Sequence, residues 1–260
     1  MAIISSAMLE RLRSDQHALG FGIFHLVTAA APQMARASGY HWLSIDSEHG
    51  PATTAQVAQL CAVALSVGIS PVVRVNKTSL EEATRALDNG AQGIIVPMIE
   101  TAADARHIVE ALRFPPLGRR GWGGVGAHHG FLAPSPQQAI REVEANTLII
   151  ALIETQKGID NAEEIASTFG IDAIFVGLAD LSISLGEAGK YDSPALLTAF
   201  GRVAEACRKH GRYLGMGGVY DDVIAPRYIA LGAKLVVGGN DHGFVMEAAK
   251  ARANAVERLF

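Results

Sequence analysis

Eight short apolar runs recur along the chain, each followed by a turn and a helix-like stretch. No other feature restricts the fold as much. Read as strands, the runs are 21–27, 41–46, 71–76, 93–97, 147–153, 173–176, 213–217 and 234–239. The helical stretches between and after them are 32–38, 54–67, 79–88, 102–112, 161–168, 194–210, 221–231 and 241–259, with a short polar helix over 5–18 leading in. The runs are nearly continuous in apolar residues, as strands buried on both faces are. Strands alternating with helices imply a parallel sheet with helical crossovers. Eight such units imply an α/β fold closed into a (β/α)8 TIM barrel, one domain over 1–260. The alternative is a doubly wound open sheet. No GxGxxG or Walker motif follows a strand here, so that fold's usual nucleotide chemistry is missing.

Hydrophobic residues make up 49% of the chain and aromatic residues 6%, so the core rests on Ala, Val, Ile and Leu. A net charge of -4 gives no basic surface for nucleic acid. No apolar run is long enough to span a bilayer, so no membrane partner is expected. Met1 to Ser5 lack the pattern of a signal peptide, and Cys61 and Cys207 form no disulfide or zinc framework; both point to a cytoplasmic protein. Regularity breaks over 114–134, where Pro115-Pro116, Arg119-Arg120 and His128-His129 lie among glycines. A long Gly-rich excursion in a compact domain is functional or mobile.

In such barrels reactive groups gather at the C-terminal strand ends. Glu154 and Asp180 each follow a buried apolar run. Two adjacent carboxylates repel unless a cation lies between them, and hard oxygen ligands suit Mg²⁺ or Mn²⁺. Either could instead cap a helix or pair with an arginine. Arg74 is a cation in an apolar strand, fit to bind an anion or an oxyanion, or to pair with Asp46 or Glu48. His49 could act as a general base, its ring oriented by a carboxylate such as Asp46. Arg119 and Arg120 could clamp an anion or touch a neighbouring subunit. His128-His129 reads as a solvated flexible tip, and Asp241 as the N-cap of the last helix. A divalent metal, an arginine and a His base together suit proton abstraction next to a carbonyl. Lys77 or Lys157 forming a Schiff base is the rival chemistry.

Six segments, in order, resemble the HpcH/HpaI aldolases: Asp46-Ser47-Glu48-His49-Gly50-Pro51, Pro71-Val72-Val73-Arg74, Val96-Pro97-Met98, Pro115-Pro116-Leu117-Gly118-Arg119-Arg120-Gly121, Ile153-Glu154-Thr155 and Gly177-Leu178-Ala179-Asp180-Leu181-Ser182. These are metal-dependent class II pyruvate aldolases, and the likeness covers nearly the whole chain. It implies cleavage of a 4-hydroxy-2-oxoacid to pyruvate and an aldehyde through a pyruvate enolate, with Mg²⁺, Mn²⁺ or Co²⁺. By the same resemblance Glu154 and Asp180 hold the metal, and His49 is the base. Asp88 pairs with that base, across a subunit boundary. Arg74 binds pyruvate and steadies the enolate, and the backbone amides of Ala179 and Asp180 take the carboxylate. The family's last helix is exchanged between subunits of a homo-oligomer, a hexamer built from trimers. Ser47 and Gly50 beside the histidine, Leu152, Gln156 and the segment 122–130 depart from the usual pattern, so the acceptor is not implied. A decarboxylase or carbon–carbon synthase on the same site, and a non-catalytic 2-oxoacid-binding homologue, are the alternatives.

Overall fold

The computed structural model describes residues 4–132 and 134–260. Eight parallel strands close into one barrel in sequence order: β1 (Ala18–Ile23), β2 (Trp42–Asp46), β3 (Ser70–Arg74), β4 (Gly93–Val96), β5 (Leu148–Ile153), β6 (Ala173–Gly177), β7 (Tyr213–Gly217) and β8 (Leu235–Asn240), with β8 pairing back to β1. The helices stand outside this ring.

Apolar residues divide between two compartments. Inside the ring lie Trp42, Val72, Ile95, Leu152, Phe175 and Val237, and Met8, Leu9 and Leu12 of the helix Ala7–Arg13 pack against this inner group. Outside it, Leu43, Val73, Ile94 and Ile174 pack against helix residues such as Leu60, Ile108 and Phe200. Side chains alternate along a strand, so each inner residue is followed two places on by another inward one. That period carries Val72 to Arg74, Leu152 to Glu154 and Ser44 to Asp46. The charged groups are therefore the next inward layer, at the C-terminal mouth. The register sets Asp46 directly opposite Arg74.

Several elements differ from the expectation. β1 starts at Ala18 and stops at Ile23, whereas its apolar run extends to Val27. The backbone N–H groups of Phe24, His25 and Leu26 donate instead to Asp241 Oδ2, at 3.0, 2.7 and 2.5 Å. Asp241 is accordingly not the N-cap; Asn240 caps the helix Asp241–Glu257 through Gly243 N–H. Burial alone would raise the Asp241 carboxyl, but these donors hold it below the usual range. A helix the sequence reading missed, Pro136–Asn146, precedes β5, with Ser135 as cap and Pro in its first turn. Two short ones, Gln156–Asp160 and Leu178–Ser184, follow β5 and β6.

The excursion 114–132 follows the helix Ala102–Leu112, which runs back from the mouth, and leads toward the helix Pro136–Asn146 before β5, so it lies at the N-terminal end of the barrel, away from the mouth. Its histidines are buried and do not form a solvated tip. His128 Nε2 bonds the Leu87 carbonyl at 2.8 Å, and His129 Nε2 bonds Glu142 at 2.9 Å. A carbonyl only accepts, so His128 carries its proton on Nε2. Burial pushes its pKa down to about 4.

Candidate active site

The mouth of the barrel holds a cavity of about 220 Å³. Asp46, His49, Arg74, Glu154, Ala179 and Asp180 all line it. Four strand ends thus deliver the sequence-derived residues to one place.

Asp46 organises the β2 end. One carboxylate oxygen bonds the Arg74 guanidinium, and the other accepts the backbone N–H groups of Glu48 and His49, each at 3.0 Å. It therefore shapes the turn that presents His49 and does not orient the imidazole, the role open to it from sequence. The His49 ring is 62% exposed, with Glu48 3.7 Å away. Gly50 has a structural reason: a Cβ there would lie 2.3 Å from the Asp46 carbonyl oxygen and 2.9 Å from that of Phe24. Ser47 donates its hydroxyl to the Arg74 carbonyl at 2.9 Å, tying β2 to β3 beyond the ladder.

Arg74 bonds Asp46, and its Nε stands 3.6 Å from Glu48, too far for a hydrogen bond. Burial alone would lower the guanidinium pKa; the Asp46 bond and the surrounding carboxylates outweigh this and raise it. It remains a fixed cation on the cavity wall.

Glu154 is only 5% exposed. Burial pushes its carboxyl up to about 7, and nearby Asp180 and Glu48 add to the rise, against the Met98 N–H bond at 2.9 Å. Its second oxygen lies over Gly177, where a Cβ would come within 2.9 Å. A carboxylate pressed toward protonation by burial and by like charges is one that a cation relieves. Among the described residues no group of three or more His, Cys, Asp or Glu is arranged to hold a metal. Two protein carboxylates nonetheless fit Mg²⁺ and its kin, which keep most of their positions for water and substrate oxygens. Ala179 and Asp180 lie in the first turn of the helix Leu178–Ser184, where backbone N–H groups have no intrahelical acceptor.

Other candidates fall elsewhere. Asp88 is not on this cavity; its carboxylate bonds Arg120 at 2.7 Å, near the N-terminal end of the same barrel. Arg120 stacks over Phe114, 4.5 Å from the ring centre, and Arg119 pairs with Glu110 on the surface. Lys77 is held by Asp104 and the Met98 carbonyl, and Lys157 by Glu100, so neither faces the cavity as a Schiff-base lysine would. The sequence reading missed Phe24 and Tyr220, which line the upper wall. An aromatic residue just past a strand end was the available signal.

The sequence pattern of the HpcH/HpaI aldolase/citrate lyase family matches residues 23–248. The chain is 37% identical over 231 residues to a 4-hydroxy-2-oxovalerate aldolase of Novosphingobium aromaticivorans, covering 88% of this chain and 86% of that protein. It is 31% identical over 242 residues to a 4-hydroxy-4-methyl-2-oxoglutarate aldolase of Chaetomium globosum, covering 92% of this chain and 90% of that one. The crystal structure of an HpcH/HpaI aldolase/citrate lyase family protein from Burkholderia cenocepacia superposes with a TM-score of 0.86 at 32% identity, covering 97% and 100% of the two chains. The family pattern and these relatives cover nearly the whole length, and the chain belongs to the HpcH/HpaI aldolase/citrate lyase family.

Proposed function

We propose that the chain is a carbon–carbon lyase that cleaves a 4-hydroxy-2-oxoacid to pyruvate and an aldehyde, and runs the reverse condensation. The observation that carries this reading is the convergence of Arg74, His49 and the Glu154–Asp180 pair on one cavity.

A divalent cation held by Glu154 and Asp180 would supply Lewis-acid polarisation of the 2-oxo group. Arg74 would stabilise the negative charge that develops on that oxygen, a preorganised cation needing no rearrangement. The amides of Ala179 and Asp180 would take the substrate carboxylate at a helix start. His49 would remove the C4 hydroxyl proton as the C3–C4 bond breaks, and would return it to C3 as pyruvate forms.

The final helix supports an oligomer. Beyond Asp241 none of its residues is buried, and Val245, Met246, Leu259 and Phe260 stand in solvent. A helix with so little cover on its own barrel fits exchange with a second copy. The Asp88 carboxylate, 35% exposed beside Arg120, is then open to the partner subunit's His49.

The test is pyruvate release from a panel of 4-hydroxy-2-oxoacids, with Mg²⁺ and with EDTA. Release is expected with metal and absent after chelation. Full activity in EDTA would overturn the metal reading, and no release from any member would overturn the aldolase reading.

A further inference from the structure

Met98 follows β4 at the mouth of the barrel, with a backbone that a residue bearing a side chain rarely adopts, φ 55°. That left-handed conformation crowds Cβ, so the surroundings must hold it. Packing of its own side chain does not, since the residue is 42% exposed. What the conformation yields is a grip on the end of β5. The Met98 N–H donates to Glu154 Oε1 at 2.9 Å, and the next N–H, that of Ile99, donates to the Leu152 carbonyl at 3.0 Å. Among the described residues the Met98 N–H is the only group hydrogen-bonded to the Glu154 carboxylate. It fixes the direction of that carboxylate, with Oε2 turned over Gly177.

The other side of Met98 is held by Lys77, from the loop after β3. Its Nζ donates to the Met98 carbonyl at 2.7 Å and pairs with Asp104 Oδ1 at 2.9 Å. Asp104 is fixed in turn: its Oδ2 accepts the Thr101 hydroxyl at 2.8 Å and the Thr101 N–H at 3.0 Å, in the capping box that opens the helix Ala102–Leu112. One ammonium thus joins two loops and a helix start around a single carbonyl. A cation on that carbonyl also polarises the N–H of the same peptide, which belongs to Ile99, and strengthens its bond to β5.

We infer that Lys77 is a positioning residue for the metal centre: by holding the Met98 backbone it aims the Glu154 carboxylate, and so sets the affinity for a divalent cation. This rests on the reading of Glu154 and Asp180 as the metal-holding pair, and adds to it a side chain that bonds neither carboxylate. Partners of a metal ligand orient it and tune its affinity. Charge alone predicts the opposite sign. A lysine near a cation site repels the cation, so its removal would tighten binding. Loss of the aim weakens it.

The experiment measures the Kd of Mn²⁺ for the full chain, without substrate, from the electron paramagnetic resonance signal of the free ion. Lys77→Met is expected to bind Mn²⁺ about tenfold more weakly than wild type. Lys77→Ser, polar at a partly exposed position, repeats the test should the thioether pack badly. Lys157→Met is the control: it removes a cation from Glu100 of the same loop and leaves the Met98 carbonyl untouched, so no weakening is expected. Urea unfolding checks that each variant is folded. Mn²⁺ binding unchanged or tighter in the Lys77 variants overturns the inference. So does equal weakening in Lys157→Met, since the whole loop and not the Met98 clamp would then be responsible. Glu154→Gln that binds Mn²⁺ as tightly as wild type, or wild type that binds none, is a different failure: the metal reading falls, and this inference with it.

Discussion

Two arginines in this chain sit in similar company at opposite ends of the barrel. Arg74 lies at the C-terminal mouth between Asp46 and Glu48, and Arg113 at the N-terminal end between Asp172 and Glu144. Around Arg113 every guanidinium nitrogen has a partner: Glu144 at 2.7 Å, the Asp172 carboxylate, and the carbonyls of Gly170 and Thr147. Asp172 also accepts the Ile149 N–H at 2.6 Å, so the cluster ties the starts of two strands and is closed. Around Arg74 there is one hydrogen bond to a side chain, a second carboxylate held off at 3.6 Å, and a cavity with two further acids. The same chemistry is structural where its hydrogen bonds are complete and available for a substrate where they are not.

Breaking the closed cluster should have the largest effect. Arg113→Met leaves Asp172 and Glu144 without their cation and is expected to cost about 3–5 kcal/mol in denaturant unfolding, with turnover per folded molecule unchanged. A loss of turnover at full stability would reverse the roles of the two ends. Arg74→Lys keeps the charge but loses the planar fork. Its expected effect is a fall on the order of 10²–10³ in pyruvate release, with a smaller loss of stability than Arg113→Met.

The N-terminal end should also show a pH dependence opposite in sign to that of the mouth, where the raised Glu154 carboxyl takes up its proton first in the folded state and favours folding as pH falls. His128 is neutral when folded, with its pKa lowered to about 4, and ordinary when unfolded. The unfolded chain therefore binds the extra proton first as pH falls below the ordinary histidine range. The His128 contribution is complete above that range and lost on acidification, by about 2 kcal/mol between pH 7 and pH 5. In His128→Asn the pH 5 unfolding curve should gain stability relative to the pH 7 curve compared with wild type; an unchanged difference between the two would remove His128 as a cause. The smallest change belongs to the surface pair of Arg119 and Glu110, where Arg119→Ala should shift unfolding by less than about 1 kcal/mol.

The contrast also explains what could be read from the sequence. Arg74, Glu154 and Asp180 stood out because each charge ends or follows an apolar run. Arg113 and Asp172 did not, since a charge at a helix end or before a strand looks like ordinary surface. The glycines around His128-His129 suggested mobility, yet the pair is buried by contacts to Leu87 and Glu142 that local composition cannot show. The true end of β1 depends on Asp241, more than two hundred residues away in the chain. Tyr220 follows two glycines and a single Val, with no periodic pattern to mark it, and only barrel closure brings it to the cavity that Arg74 lines.

The central claim is that the mouth of this barrel makes the carbon next to a carbonyl acidic, using Glu154 and Asp180 to hold a cation beside Arg74. Deuterium entry into the pyruvate methyl group, followed by proton NMR in D₂O, tests it without any choice of aldehyde. With Mg²⁺ the methyl signal should fade in wild type, and it should persist in EDTA and in Glu154→Gln. Exchange that continues unchanged in EDTA or in Glu154→Gln would contradict the account.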